Sequence, residues 1–97
     1  MTKARLVFRR RLAYPDGAVR EMVIWQLSGA DPERPQGLKY RLYYGSAEGK
    51  CIVRYDNERG KGDHRHIHGK EMPYLFRDAR AMLADFQRDV DRARRKS

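Results

Sequence analysis

Residues 38–56 read LKYRLYYGSAEGKCIVRYD, and this stretch decides the fold. Leu38, Tyr40, Leu42 and Tyr44 fall at every second position, with Lys39, Arg41 and Tyr43 between them. A period of two is the pattern of a strand with one buried face. Gly45–Gly49 supplies turn residues. Lys50–Asp56 then alternates again, with Cys51, Val53 and Tyr55 set against Ile52, Arg54 and Asp56. Two strands joined this closely pair antiparallel, because a parallel crossover needs about a dozen or more linking residues.

Working back towards the N-terminus, the same logic predicts a hairpin. Ala4–Tyr14 places Leu6, Phe8 and Leu12 on one side, interrupted by Arg10, and Arg5, Arg9 and Arg11 on the other. Pro15-Asp16-Gly17 has turn chemistry, since proline presets its φ and glycine accepts a positive one. Val19–Leu27 follows as the second strand. Val19, Val23, Trp25 and Leu27 share a face, and Met22 and Ile24 make the other side partly apolar. The segment SGADPERPQG, residues 28–37, holds two prolines and two glycines and reads as an exposed connection.

Towards the C-terminus, residues 57–63 form a polar, glycine-containing loop, and His64–His68 returns as a short fifth strand. From about Arg77 the period changes. Ala79, Met82, Leu83, Phe86, Val90 and Ala93 recur at spacings of three and four, the apolar stripe of an amphipathic helix. Met72–Phe76 reads as an apolar approach to that helix, and Pro73 disfavours an earlier start. The expectation is an α+β domain covering residues 1–97: an antiparallel meander of four or five strands with one C-terminal helix on one face. Tyr40, Tyr44 and Trp25 are assigned to the core and Tyr43 to the surface. The lone Cys51 reads as a small buried hydrophobe.

Composition bounds the partners. The chain has 97 residues and a formal net charge of +9, with basic excess in both halves. A surface of this sign suits a polyanion such as RNA, or an acidic protein. A chain this short builds a limited core, which homodimerisation would supplement. No run approaches the roughly 20 apolar residues of a membrane span, and the N-terminus lacks the apolar core of a signal peptide. The expectation is a cytoplasmic protein without a membrane partner.

Titratable groups concentrate in residues 55–71, YDNERGKGDHRHIHGKE, which contain all three histidines, His64, His66 and His68. Asp56, Asn57, Asp63 and Glu71 lie among them, with Arg59, Lys61, Arg65 and Lys70, and Arg54 just upstream. Three readings compete. An extended His-x-His-x-His run aims alternate imidazoles at one point, so it could hold a metal ion with Asp56 or Glu71 completing the shell; the basic neighbours oppose a cation. The same groups suit metal-independent cleavage of RNA. Histidine serves as acid or base near neutrality, and arginine and lysine neutralise the charge that develops on phosphorus. The plainest reading is a solvated loop whose histidines bond to nearby carboxylates.

One resemblance bears on this choice. Tyr55-Asp56-Asn57, a short glycine-containing loop, Asp63-His64-Arg65-His66, then Tyr74-x-Phe76 leading into a helix with Leu83-x-Asp85-Phe86 and Val90, resembles the TumE family of bacterial type II toxin–antitoxin systems. The resemblance implies a toxin that inhibits growth and a helix-turn-helix antitoxin that masks its active surface. It supplies no residue roles. With the resemblance added to the residues, the expected function is a toxin that acts on RNA as an endoribonuclease needing neither metal nor cofactor. His64 and His66 are its acid and base, and Asp56 and Tyr55 assist. Arg65, Lys61, Lys70 and Arg54 bind the substrate. The alternatives are a non-catalytic basic module that binds nucleic acid or protein, and a metal-dependent hydrolase.

Overall fold

The computed structural model describes residues 3–58 and 60–96. Its six strands are β1 (Ala4–Ala13), β2 (Val19–Leu27), β3 (Leu38–Gly45), β4 (Cys51–Asp56), β5 (His64–Ile67) and β6 (Lys70–Pro73), followed by helix α1 (Ala79–Lys96). The strands form one sheet in sequential order, every neighbouring pair antiparallel. The α+β meander expected from the sequence is present, with six strands where four or five were expected. The added strand, β6, overlaps the start of the segment read as an approach to the helix, at Met72 and Pro73. Pro73 is tolerated there because β6 is an edge strand and needs no donor on its outer side.

Strand alternation sends one set of side chains towards α1 and leaves the other on the helix-free face. Ile24, Tyr40, Leu42, Val53 and Tyr55 are buried with Met82, Phe86 and Val90 of the helix, and this is the core. The Tyr55 and Phe86 rings meet edge to face with centroids 5.4 Å apart. Asp78 caps the helix: its Oδ1 accepts from Ala81 N at 2.7 Å, satisfying one of the N–H groups that a helix start leaves open. At the far end Arg94 donates to Tyr44 Oη (2.8 Å), pairs with Asp16 (3.3 Å) and lies over the Tyr14 ring (3.8 Å), fastening α1 to the β1–β2 turn.

Three side-chain assignments differ from expectation. The register of β1 against β2 shifts between Leu6 and Phe8, so Leu6 pairs with Trp25 and Phe8 with Ile24. This bulge places Leu6 on the face opposite Phe8. Trp25 is half-buried and lies on the helix-free face, while Met22 and Ile24 face the helix. Tyr40 and Tyr44 are buried as expected; Cys51 is only half-buried. Among the described residues, no helix is long and apolar enough to cross a membrane.

Candidate functional site on the helix-free face

Strands β4, β5 and β6 bring the titratable groups together by register. Asp56 pairs with His64, and Arg54 pairs with His66, which in turn pairs with Glu71. All five side chains alternate away from α1. His64 and His66 stand side by side with ring centroids 5.3 Å apart. His64 is 4% exposed. Its Nδ1 lies 2.9 Å from the Gly62 carbonyl. A carbonyl only accepts, so Nδ1 donates and Nε2 is turned towards the carboxylates. Nε2 lies 2.7 Å from Asp56 Oδ1 and 3.8 Å from Glu71 Oε1. The Asp56 contact is close but off the line of a well-formed hydrogen bond, so two buried polar atoms face each other without a good partner among the described residues. Buried polar atoms are nearly always hydrogen-bonded, so this pair calls for an explanation, and a catalytic role is one of the usual ones.

His66 is more open. Arg54 Nη2 donates to its Nε2 at 3.0 Å, and the same nitrogen lies 3.2 Å from Glu71 Oε1. Arg54 also pairs with Asp56 Oδ2 at 3.1 Å, so one guanidinium ties both histidine–carboxylate pairs together. Lys61 reaches Glu71 at 3.9 Å. A cavity of about 360 Å³ opens onto His64 between Lys61, Asp63, Glu71 and Pro73. One ring nitrogen each of His64 and His66 and a Glu71 oxygen lie within 4.8 Å of one another, a spacing that a metal ion could bridge.

The remaining sequence candidates lie elsewhere, and three are corrections of placement. Tyr55 and Arg65 point to the helix face because they alternate with Asp56 and His64. Tyr55 is fully buried and donates to Asp89 of α1, and Arg65 bonds both the Tyr55 hydroxyl (3.2 Å) and Asp89 (3.1 Å). Burial first, and then the bond to Asp89, push the Tyr55 phenol well above its usual value, so it is a fixed donor. Lys70 pairs with Ile67 and shares that side. His68 is exposed in the β5–β6 turn with φ 50°, away from the other two histidines. Arg59 lies outside the described residues.

Asn57 completes the site by holding its frame. Its Nδ2 donates to Leu38 O (2.8 Å) and its Oδ1 accepts from Tyr40 N (3.1 Å), so the side chain continues the β3–β4 ladder where the backbone leaves it. Arg34 of the 28–37 loop donates to Asn57 O (3.1 Å) and pairs with Asp31 (3.2 Å). That loop, read as an ordinary connection, is a pinned wall beside the site. Sequence reading missed a polar cluster under the sheet. Asp85 accepts from Tyr74 and Arg77, both at 2.6 Å, and from Arg88. Burial alone would raise the Asp85 carboxyl, but these donors and their charges outweigh it and hold it below the usual carboxylate range. Asp85 and Asp89 sit one turn apart on the buried side of an amphipathic helix, and that was the available signal.

No curated protein and no solved structure matches the chain. The protein family described as Toxin TumE matches residues 1–94, nearly its whole length, so the match extends through the N-terminal hairpin as well as the histidine stretch. Membership of such a family implies an antitoxin partner. The chain belongs to the TumE toxin family and is the toxin component of a toxin–antitoxin system.

Proposed function

We propose that this toxin acts on RNA as a metal-independent endoribonuclease, with His64 and His66 as the proton-transfer pair. The observation that carries the reading is the pair itself: two adjacent imidazoles, each against a carboxylate, joined by Arg54 on the open face of the sheet. In the reaction a base removes the 2′-hydroxyl proton and the 2′ oxygen bonds to phosphorus. The bond from phosphorus to the 5′ oxygen breaks, and an acid protonates that leaving oxygen. The products are a 2′,3′-cyclic phosphate and a 5′-hydroxyl. His66 is assigned as the base: its Nε2 lone pair accepts from Arg54, and that bond opens as the guanidinium turns to the phosphate. His64, whose Nε2 lies 2.7 Å from Asp56 Oδ1 on the same face, takes the other role and protonates the leaving oxygen. Arg54 and Lys61 neutralise the charge that builds on the phosphoryl oxygens.

The test is cleavage of RNA by the purified protein in the presence of a chelator. Cleavage is expected to persist and to fall by about 10²-fold or more in the His64→Ala/His66→Ala double variant, the scale of a lost acid or base. If wild type and double variant leave RNA equally intact, the enzymatic reading fails. Salt-sensitive binding without turnover would then favour a non-catalytic module.

A second reading follows from the convergence of His64, His66 and Glu71 within 4.8 Å. The hydrogen bond from His64 Nδ1 to a backbone carbonyl is also how metal-ligating histidines are commonly oriented. Arg54 and Lys61 beside the same atoms oppose a cation, which ranks this reading second. It predicts activity that is lost in chelator and restored by zinc.

A further inference from the structure

The helix-free face carries a second and larger cavity, of about 640 Å³, beside the histidine pair. Trp25 of β2 lines it together with Lys39 and Arg41 of β3, Arg54 and Asp56 of β4, and Asn57. Its volume lies within the range of small-ligand sites. Two of its lining residues, Arg54 and Asp56, are the groups that contact His66 and His64, so the cavity and the proposed catalytic pair form one continuous surface.

Trp25 is the only tryptophan in the chain. An indole contributes most to a small fold when it is fully buried. This one is only half-buried and is absent from the core cluster between sheet and helix. It lies among cations instead: Lys39 Nζ is 5.3 Å from its ring centroid, and Arg41 follows on the same face of β3. An aromatic ring in a cationic groove is the combination that single-stranded nucleic acids use, with the base stacking on the ring and the backbone tracked by the charges.

The cavity is also preformed. Its end wall is fixed by the Asn57 side chain on the β3 backbone, by Arg34 on the Asn57 carbonyl, and by Gly60 N on Glu33 Oε1 at 2.7 Å. Neither Arg34 nor Asn57 is free to relax, since both are buried and bonded. A wall held in this way keeps its shape before any ligand arrives, which reduces the ordering cost of binding.

We infer that this cavity binds one nucleobase of the RNA, stacked on Trp25, at the nucleotide next to the pair that flanks the scissile phosphate, so that the phosphate linking it to that pair is not the scissile one. Lys39 and Arg41 take the phosphate that links this nucleotide to the pair at His64 and His66. Trp25 and His64 lie on strands three steps apart, about 14 Å across the sheet at ordinary strand spacing, so the stacked base is not the one whose ribose reacts. The pocket thus selects by neighbour and leaves the reacting nucleotide to the histidines. Purines stack over more of the indole and bind more tightly than pyrimidines. The inference rests on the reading of RNA as substrate.

Trp25 is its own reporter. The test titrates the full chain with AMP, GMP, CMP and UMP, and separately with inorganic phosphate, while tryptophan fluorescence is read. Saturable quenching by AMP and GMP, weaker quenching by CMP and UMP, and none by phosphate is the expected result. By calorimetry, Trp25→Phe keeps most of the affinity and Trp25→Leu loses about fivefold or more, the scale of one lost base stack. The inference is overturned if no nucleotide saturates, if phosphate quenches as well as nucleotides do, or if Trp25→Leu binds as tightly as wild type. The wild-type titration needs no variant to fold. Should nucleotides saturate while RNA stays intact with or without the histidines, the pocket stands and the catalytic reading falls. Should RNA be cut through His64 and His66 while no nucleotide binds, the pocket falls alone.

Discussion

Asn57 shows how much one polar side chain can hold. Replacing it with leucine removes the partner of the Tyr40 N–H, which is buried, and of the Leu38 carbonyl, which is part-buried. The cost is about 1–3 kcal/mol for each orphaned group. A lower midpoint in urea unfolding, with RNA cleavage reduced because Asp56 is its neighbour, is the expected outcome. Tyr55 makes the opposite case. Tyr55→Phe leaves Asp89 and Arg65 short of a bond under the helix and costs about 1–3 kcal/mol, while cleavage measured below the unfolding transition should hardly change. Loss of cleavage at unchanged stability would mean that Tyr55 serves the chemistry after all. Tyrosines also set the alkaline limit. Burial, and then bonds to Asp63, Asp89 and Asp85, raise the Tyr40, Tyr55 and Tyr74 phenols, Tyr74 to about 12. A raised folded-state value means that the stability it gives is fully present below the unfolded value of about 10 and is lost as pH rises from there through the folded value. Melting temperature should therefore fall above about pH 10, and tyrosinate absorbance should show these three phenols titrating only as the fold is lost.

Among the elements, the β5–β6 hairpin controls which side chains meet. Ile67 pairs with Lys70 across the two-residue turn His68-Gly69, and both turn residues have positive φ, at 50° and 81°. Such turns favour asparagine followed by glycine. His68→Asn is expected to leave stability unchanged or slightly raised and cleavage intact, by thermal melting and RNA assay. Gly69→Ala should cost about 1 kcal/mol or more. The first four strands were legible because alternation runs for six residues or more and glycine- or proline-containing turns punctuate it. Strand β6 was not legible: four residues place only two side chains on each face, and Met72–Phe76 looked like a lead-in to the helix. The site was half legible. Spacing alone picked out His64 and His66, and alternation from Asp56 followed. The same alternation places Tyr55 and Arg65 on the helix face, because neighbours along a strand point to opposite sides. Trp25 was misplaced for a different reason. β2 carries apolar residues on both sides, the sheet has one helix to bury one side, and the face with the larger aromatic is the one left uncovered. Nothing in β2 by itself reveals that choice.

For the molecule as a whole, charge and layering act together. A +9 chain with its helix on one side leaves Arg9, Arg11, Lys39, Arg41 and Arg54 in register on the other. RNA affinity measured against salt should fall linearly on a double-logarithmic plot, and each phosphate-contacting cation removed, Arg41→Ala or Lys39→Ala, should lower the slope by about 0.7. Substitution of Arg10, which pairs with Met22 on the helix side, should leave the slope unchanged. The layering has one more consequence, which concerns how the gene can change. In β4 and β5 the even-numbered residues Arg54, Asp56, His64 and His66 face the site, and the odd-numbered residues Val53, Tyr55, Arg65 and Ile67 face the helix. Function and abundance are thus written in alternate codons. A saturation scan of residues 53–56 and 64–67, scored once for growth arrest and once for protein level, should separate into two interleaved combs. Inserting a single residue into β5 would swap the teeth, turning Arg65 outward and the imidazoles towards the helix. Selection can tune either comb one letter at a time, but it cannot slide them past each other.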